Sequence, residues 1–93
     1  MPPKIDAVVK AVEEYNKYRC PEACAEILWV DGNKAYIYIE GTYCATCGLY
    51  DWLEDLAYIL EEKGAPAKLQ GVIEPRNPET PWRIAIYEFE DTA

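Results

Sequence analysis

Ninety-three residues suffice for one small core and a single domain spanning 1–93, and at this size a covalent or metal staple adds a meaningful share of stability. Seventeen acidic against nine basic side chains give a net charge of -8 and a pI near 4.4. Such a surface repels phosphate backbones and anionic lipid, which excludes nucleic acid and membrane surfaces as partners. With no His and no Ser in the chain, a Ser-His or Cys-His nucleophile pair cannot be built, and any metal falls to thiolates, with or without a carboxylate.

No stretch approaches the roughly 18 apolar residues of a membrane span, and the opening MPPKIDAVVK lacks the apolar core of a secretion signal. The expected location is therefore cytoplasmic. The loss of Ser and His, a single Gln, and abundant Glu, Tyr, Ile and Pro lean toward a hyperthermophile, a setting that keeps intracellular disulfides.

Pro3 sits where a first-turn proline belongs, and Ile5, Val8, Val9 and Val12 repeat at helical spacing, which predicts an amphipathic helix over 4–18. "RCPEACAEILWV" ends that helix and leads into a strand over 25–30. "DGN" at 31–33 joins it to "KAYIYIE", where Ala35, Ile37 and Ile39 alternate with Tyr36, Tyr38 and Glu40, so the two runs form a hairpin.

From Gly48 the period changes to 3.6. Leu49, Trp52, Leu53, Leu56, Ile59 and Leu60 make one apolar stripe, and Gly64 before Pro66 stops the helix, predicted over 48–63. Asp51, Glu54, Asp55, Glu61 and Glu62 are its solvated face. "AKLQGVIE" and "WRIAIYEFE" follow as strands, separated by "PRNPETP", whose three prolines exclude pairing in that loop. Arg76 and Arg83 flank it and read as surface ion-pairing residues.

The predicted fold is α+β, a two-layer sandwich of order α-β-β-α-β-β with two helices on one face of a four-stranded sheet. The uncovered face would carry Tyr36 and Tyr38, with some of Trp29, Trp82, Tyr87 and Phe89 according to register. Three Trp and eight Tyr exceed what one small core needs, so this aromatic face suits a homodimer or a partner protein.

Cys20 and Cys24 fall in the connection entering the first strand, and Cys44 and Cys47 in the connection leaving the second. An antiparallel hairpin sets the start of one strand beside the end of the other, so both pairs arrive at one end of the sheet. The result is a candidate four-thiolate site, C-x3-C-x19-C-x2-C, suited to zinc or to an iron–sulfur cluster. Two other readings stand beside it. Disulfides would leave a stapled interaction domain with no cofactor. Alternatively, Cys44 and Cys47, at a helix start where thiol pKa falls, would act as a thiol-disulfide oxidoreductase pair. No phosphate loop, nucleotide fingerprint or nucleophile elbow is present, so classical enzyme catalysis has little to stand on.

The stretch "VDGNKAYIYIEGTYCATCGLYDWLEDLAYILEEKG", with the helix before it, resembles the C-terminal scaffold domain of NifU and the stand-alone NifU-like proteins, over about residues 5–70. Gly41, Cys44 and Cys47 take the places of that family's G-x-C-x-x-C turn, with one more residue after the glycine. The resemblance implies an α+β sandwich whose C-x-x-C binds a labile iron–sulfur cluster, usually bridged between two subunits, and passes it to acceptor proteins. "CPEAC" stands where the family has "GGD", and Gly48 where it has proline, so Cys20 and Cys24 are additions with no family counterpart.

Overall fold

A computed structural model of the chain describes residues 3–20, 22–41, 49–77 and 80–90. In order these form α1 (Pro3–Arg19), β1 (Ala23–Asp31), β2 (Lys34–Gly41), α2 (Leu49–Glu62), β3 (Ala67–Ile73) and β4 (Trp82–Phe89). The strands make one antiparallel sheet in the order β1-β2-β4-β3, and both helices lie on one face of it. The fold is thus the α+β arrangement of order α-β-β-α-β-β that the sequence predicts.

Alternation along the strands builds the covered layer. β2 buries Ala35, Ile37 and Ile39, and β4 buries Arg83, Ala85, Tyr87 and Phe89. The register sets Ile37 opposite Ala85 and Ala35 opposite Tyr87, so these side chains share a face. Against them α2 packs Leu53, Leu56 and Leu60, all fully buried. α1 turns inward a stripe shifted from the predicted one: Ala7, Val8, Ala11, Val12 and Tyr15 are buried, while Val9 is exposed. The two alanines let the helix approach closely, and Tyr15 supplies the volume they lack.

Two buried tyrosines fix α2 from both sides. The Tyr15 hydroxyl donates to the Trp52 carbonyl at 3.2 Å, and the Tyr87 hydroxyl to the Leu53 carbonyl at 2.6 Å. At the far end Gly64, with φ of 101°, closes a Schellman motif through Ala65 N–H to the Leu60 carbonyl (2.9 Å) and Gly64 N–H to the Glu61 carbonyl (3.2 Å). Among the described residues no helix is long and apolar enough to cross a membrane.

The open face follows from two bulges as well as from alternation. A register shift between Ile27 and Trp29 turns Trp29 outward, and another between Leu69 and Gly71 keeps Ile73 there. Tyr36, Tyr38, Trp29 and Trp82 lie on this face, whereas Tyr87 and Phe89 belong to the core. Trp29 stacks on Tyr36 at 4.4 Å between ring centroids, and Tyr38 on Trp82 at 6.0 Å.

Candidate functional site

The end of the sheet where β1 begins and β2 ends carries the candidate site. Ala23 pairs with Gly41 and Cys24 with Glu40, which brings the residues after α1 beside the residues that lead toward α2. Cys24 is the second residue of β1 rather than part of the connection before it.

Asn16 explains the early start of the strand. Its side-chain amide donates from Nδ2 to the Ala25 carbonyl at 2.9 Å and accepts at Oδ1 from the Ala25 N–H at 2.6 Å, as a neighbouring strand would. The helix runs on from Asn16, whose carbonyl accepts from the Cys20 N–H at 3.0 Å, so one residue ties the last turn of α1 to the first residues of β1. Cys20 and Cys24 face each other across this junction and form a disulfide, with Cα atoms 4.6 Å apart.

Glycine at 41 is set by the same junction. A Cβ there would collide with the Glu22 carbonyl and the backbone at Ala23, so any other residue would force β1 and β2 apart. The Gly41 N–H donates to the Pro81 carbonyl at 3.0 Å, anchoring the end of β2 to the loop before β4. Arg83 lies under this end on the covered face, in register with Ile39, and is only 5% exposed. Its Nη1 donates to the carbonyls of Thr80 (2.9 Å) and Trp82 (2.6 Å), so it braces the loop from within and is a buried residue, not the surface one expected.

Arg19, the last residue of α1, pairs with Asp55 of α2 and holds its guanidinium over the Trp52 ring at 4.9 Å from the centroid. Tyr15 sits beneath this pair. Burial drives its phenol up to about 12, with Arg19 opposing and Asp55 adding to the rise. The two helices are therefore locked together next to Cys20.

On the open side of this end a shallow groove of about 280 Å³ is lined by Cys24, Glu26, Tyr38, Glu40 and Gly41 among others. The Tyr38 hydroxyl donates to Glu40 at 3.2 Å, and partial burial and then the Glu40 carboxylate raise its pKa. The groove is acidic, with Cys24 of the disulfide among its lining residues.

Of the four cysteines singled out by sequence, Cys20 and Cys24 are brought together and bonded to each other. Cys44 and Cys47 lie outside the described residues, as does the turn that resembles the NifU motif. A sulfur in a disulfide offers no thiolate, so the Cys20–Cys24 pair becomes a metal donor set only after two-electron reduction. Among the described residues no three Cys, Asp or Glu side chains converge on a point where a metal ion could sit. Asn16, Gly41 and Arg83 build this end and were not picked out as its builders from the sequence. The one available signal was Asn16, a poor helix former standing one turn before Cys20.

No family model, no curated protein and no solved structure matches the chain.

Proposed function

We propose that the chain is a small cysteine-site protein that binds an iron–sulfur cluster, or zinc, through Cys44 and Cys47, and hands it to or shares it with an acceptor protein. The observation that carries this reading is the β1–β2 register: Ala23 opposite Gly41 ties the Cys20–Cys24 junction to the strand end from which the Cys44–Cys47 segment departs. The bond between Cys20 and Cys24 then sets the ligand count. While it stands, the chain offers two thiolates, half of a tetrahedral set, and a second chain or an exogenous thiol completes the site. Once a dithiol reductant has delivered two electrons and two protons, four thiols are available in one chain, and each gives up its proton to solvent as it ligates the metal. This is the NifU-like role with an added redox condition.

Anaerobic purification followed by metal analysis and visible spectroscopy tests it, with and without reductant. Iron with acid-labile sulfide and broad visible absorption supports the cluster, and roughly one zinc per chain supports a closed structural site. Cys44→Ser with Cys47→Ser must abolish either. Chains free of metal under both conditions sink the proposal.

The Cys20–Cys24 disulfide also favours a second reading, in which Cys44 and Cys47 exchange electrons with partner thiols and Cys20–Cys24 is a staple. Free-thiol counting across a series of redox buffers separates the two: a Cys44–Cys47 couple that titrates near cytosolic potentials, in metal-free protein, supports the oxidoreductase.

A further inference from the structure

Cross-strand register lays the open face out in four rows. The first holds Cys24, Glu40 and Trp82; the second Glu26, Tyr38, Ile84 and Ile73; the third Trp29, Tyr36, Ile86 and Gly71; the fourth Asp31, Lys34, Glu88 and Lys68. Apart from the exposed Glu26 at the β1 margin, the middle rows form an apolar and aromatic band, with Trp29 at 53% and Ile73 at 44% its exposed large apolar members. The fourth row alternates in sign across the sheet: acid, base, acid, base. None of its four side chains forms an ion pair among the described residues.

Read from the other edge, that row is its own complement. A two-fold axis parallel to the strands, between two such faces, sets β1 against the second copy's β3 and β2 against its β4 while keeping the rows level. Asp31 then meets Lys68 of the second copy, and Lys34 meets Glu88 of the second copy, each contact made twice. In the third row Trp29 comes over Gly71 of the second copy, where nothing lies within 4 Å of an added Cβ and the face is notched. Tyr36 and Ile86 oppose one another, as do Tyr38 and Ile84. A foreign protein of either charge would meet both signs in the fourth row, whereas a second copy meets only its opposites.

From this self-complementarity we infer that the occupant of the open face is a second copy of the chain, packed sheet to sheet about a two-fold axis along the strands. Four strands about 4.8 Å apart and four rows about 6.8 Å apart outline roughly 500 Å² per face before side-chain relief. Two faces thus remove about 1,000 Å², the lower range for a specific interface. The inference is independent of what the cysteines bind.

Sedimentation equilibrium of the full chain tests it. The wild type at roughly 0.1 mM is expected at twice the 10.6 kDa chain mass. Lys34→Glu with Lys68→Glu makes the fourth row wholly acidic, and Asp31→Lys with Glu88→Lys makes it wholly basic. Each variant alone is expected to dissociate, and their mixture to form a one-to-one heterodimer at least roughly tenfold tighter than either self-association. Gly71→Trp fills the notch and is expected to yield a folded monomer, with circular dichroism confirming the fold. A wild type that stays monomeric overturns the inference. So does a dimer that survives Gly71→Trp, or charge variants whose mixture associates no better than each alone.

Discussion

The two faces of one sheet are made from similar residues and put to different uses. Beneath the helices, Ala35, Ile37, Ile39, Ala85, Tyr87 and Phe89 are nearly inaccessible, and the one charged side chain among them, Arg83, donates from Nη1 to two carbonyls. On the other side, Tyr36, Tyr38, Trp82, Ile84 and Ile86 are only half-buried, and charges stand at both ends of the band. Composition hardly separates them. What differs is the partner: the covered Tyr87 hydroxyl and Arg83 Nη1 donate to backbone carbonyls, whereas the Tyr38 hydroxyl on the open face reaches an exposed carboxylate of its own strand.

If that contrast is right, truncation beneath the helices should cost far more than truncation opposite. Leu56→Ala, at a fully buried site between the layers, should lower unfolding free energy by about 3 kcal/mol in urea titration. Next comes a pH effect confined to the covered side. Tyr15 titrates near 12 in the folded chain against about 10 when unfolded, so the unfolded state releases its proton first as pH rises. Stability should be unaffected by Tyr15 below about pH 10 and fall by roughly 2 kcal/mol as pH climbs toward 12. Tyr15→Phe should flatten that decline, and an equally steep fall in the variant would assign it to other groups.

Asn16→Ala deprives both backbone groups of Ala25 of their partner at the sheet edge. A loss of about 1 to 2 kcal/mol is expected, with hydrogen exchange accelerated first at Ala25. The smallest effect belongs to the open side. Ile84→Thr should change monomer stability by less than about 1 kcal/mol when measured at high dilution. A larger cost there would mean the two faces are not energetically distinct.

The sequence carried the order of elements because its periods are clean: "KAYIYIE" alternates strictly, and the stripe from Trp52 to Leu60 repeats at helical spacing. It did not carry the facing of β4. In "WRIAIYEFE" both alternate sets are largely apolar, so Ile84 and Ile86 were as good candidates for the core as Ala85 and Tyr87, and only pairing with β2 decides. The same holds for "ILWV" in β1, a continuous apolar run in which an unsignalled bulge turns Trp29 outward. Small residues hid the true stripe of α1, since Ala7 and Ala11 weigh little in any hydrophobic pattern yet mark the closest approach.

At the candidate site, spacing brought two cysteine pairs to one end but could not tell ligand from staple. Four cysteines admit three full pairings, and whether Cys20 bonds Cys24 depends on a helix-to-strand junction that Asn16 and Gly41 set. Asn16 belongs to no motif, and Gly41 stands in the motif that resembles the NifU turn without revealing there that β1 packs against it. Each is legible only once the backbones it joins are in place.

The clamp of Asn16 on Ala25 has a consequence for assembly beyond the single molecule. β1 is an outer strand, and its unpaired N–H and C=O groups are the kind onto which another chain adds to build a continuing ribbon. By occupying both groups of Ala25, one amide withholds the template from which a fibre would nucleate. A second chain seeking to extend the sheet past β1 would therefore find the groups of Ala25 already taken.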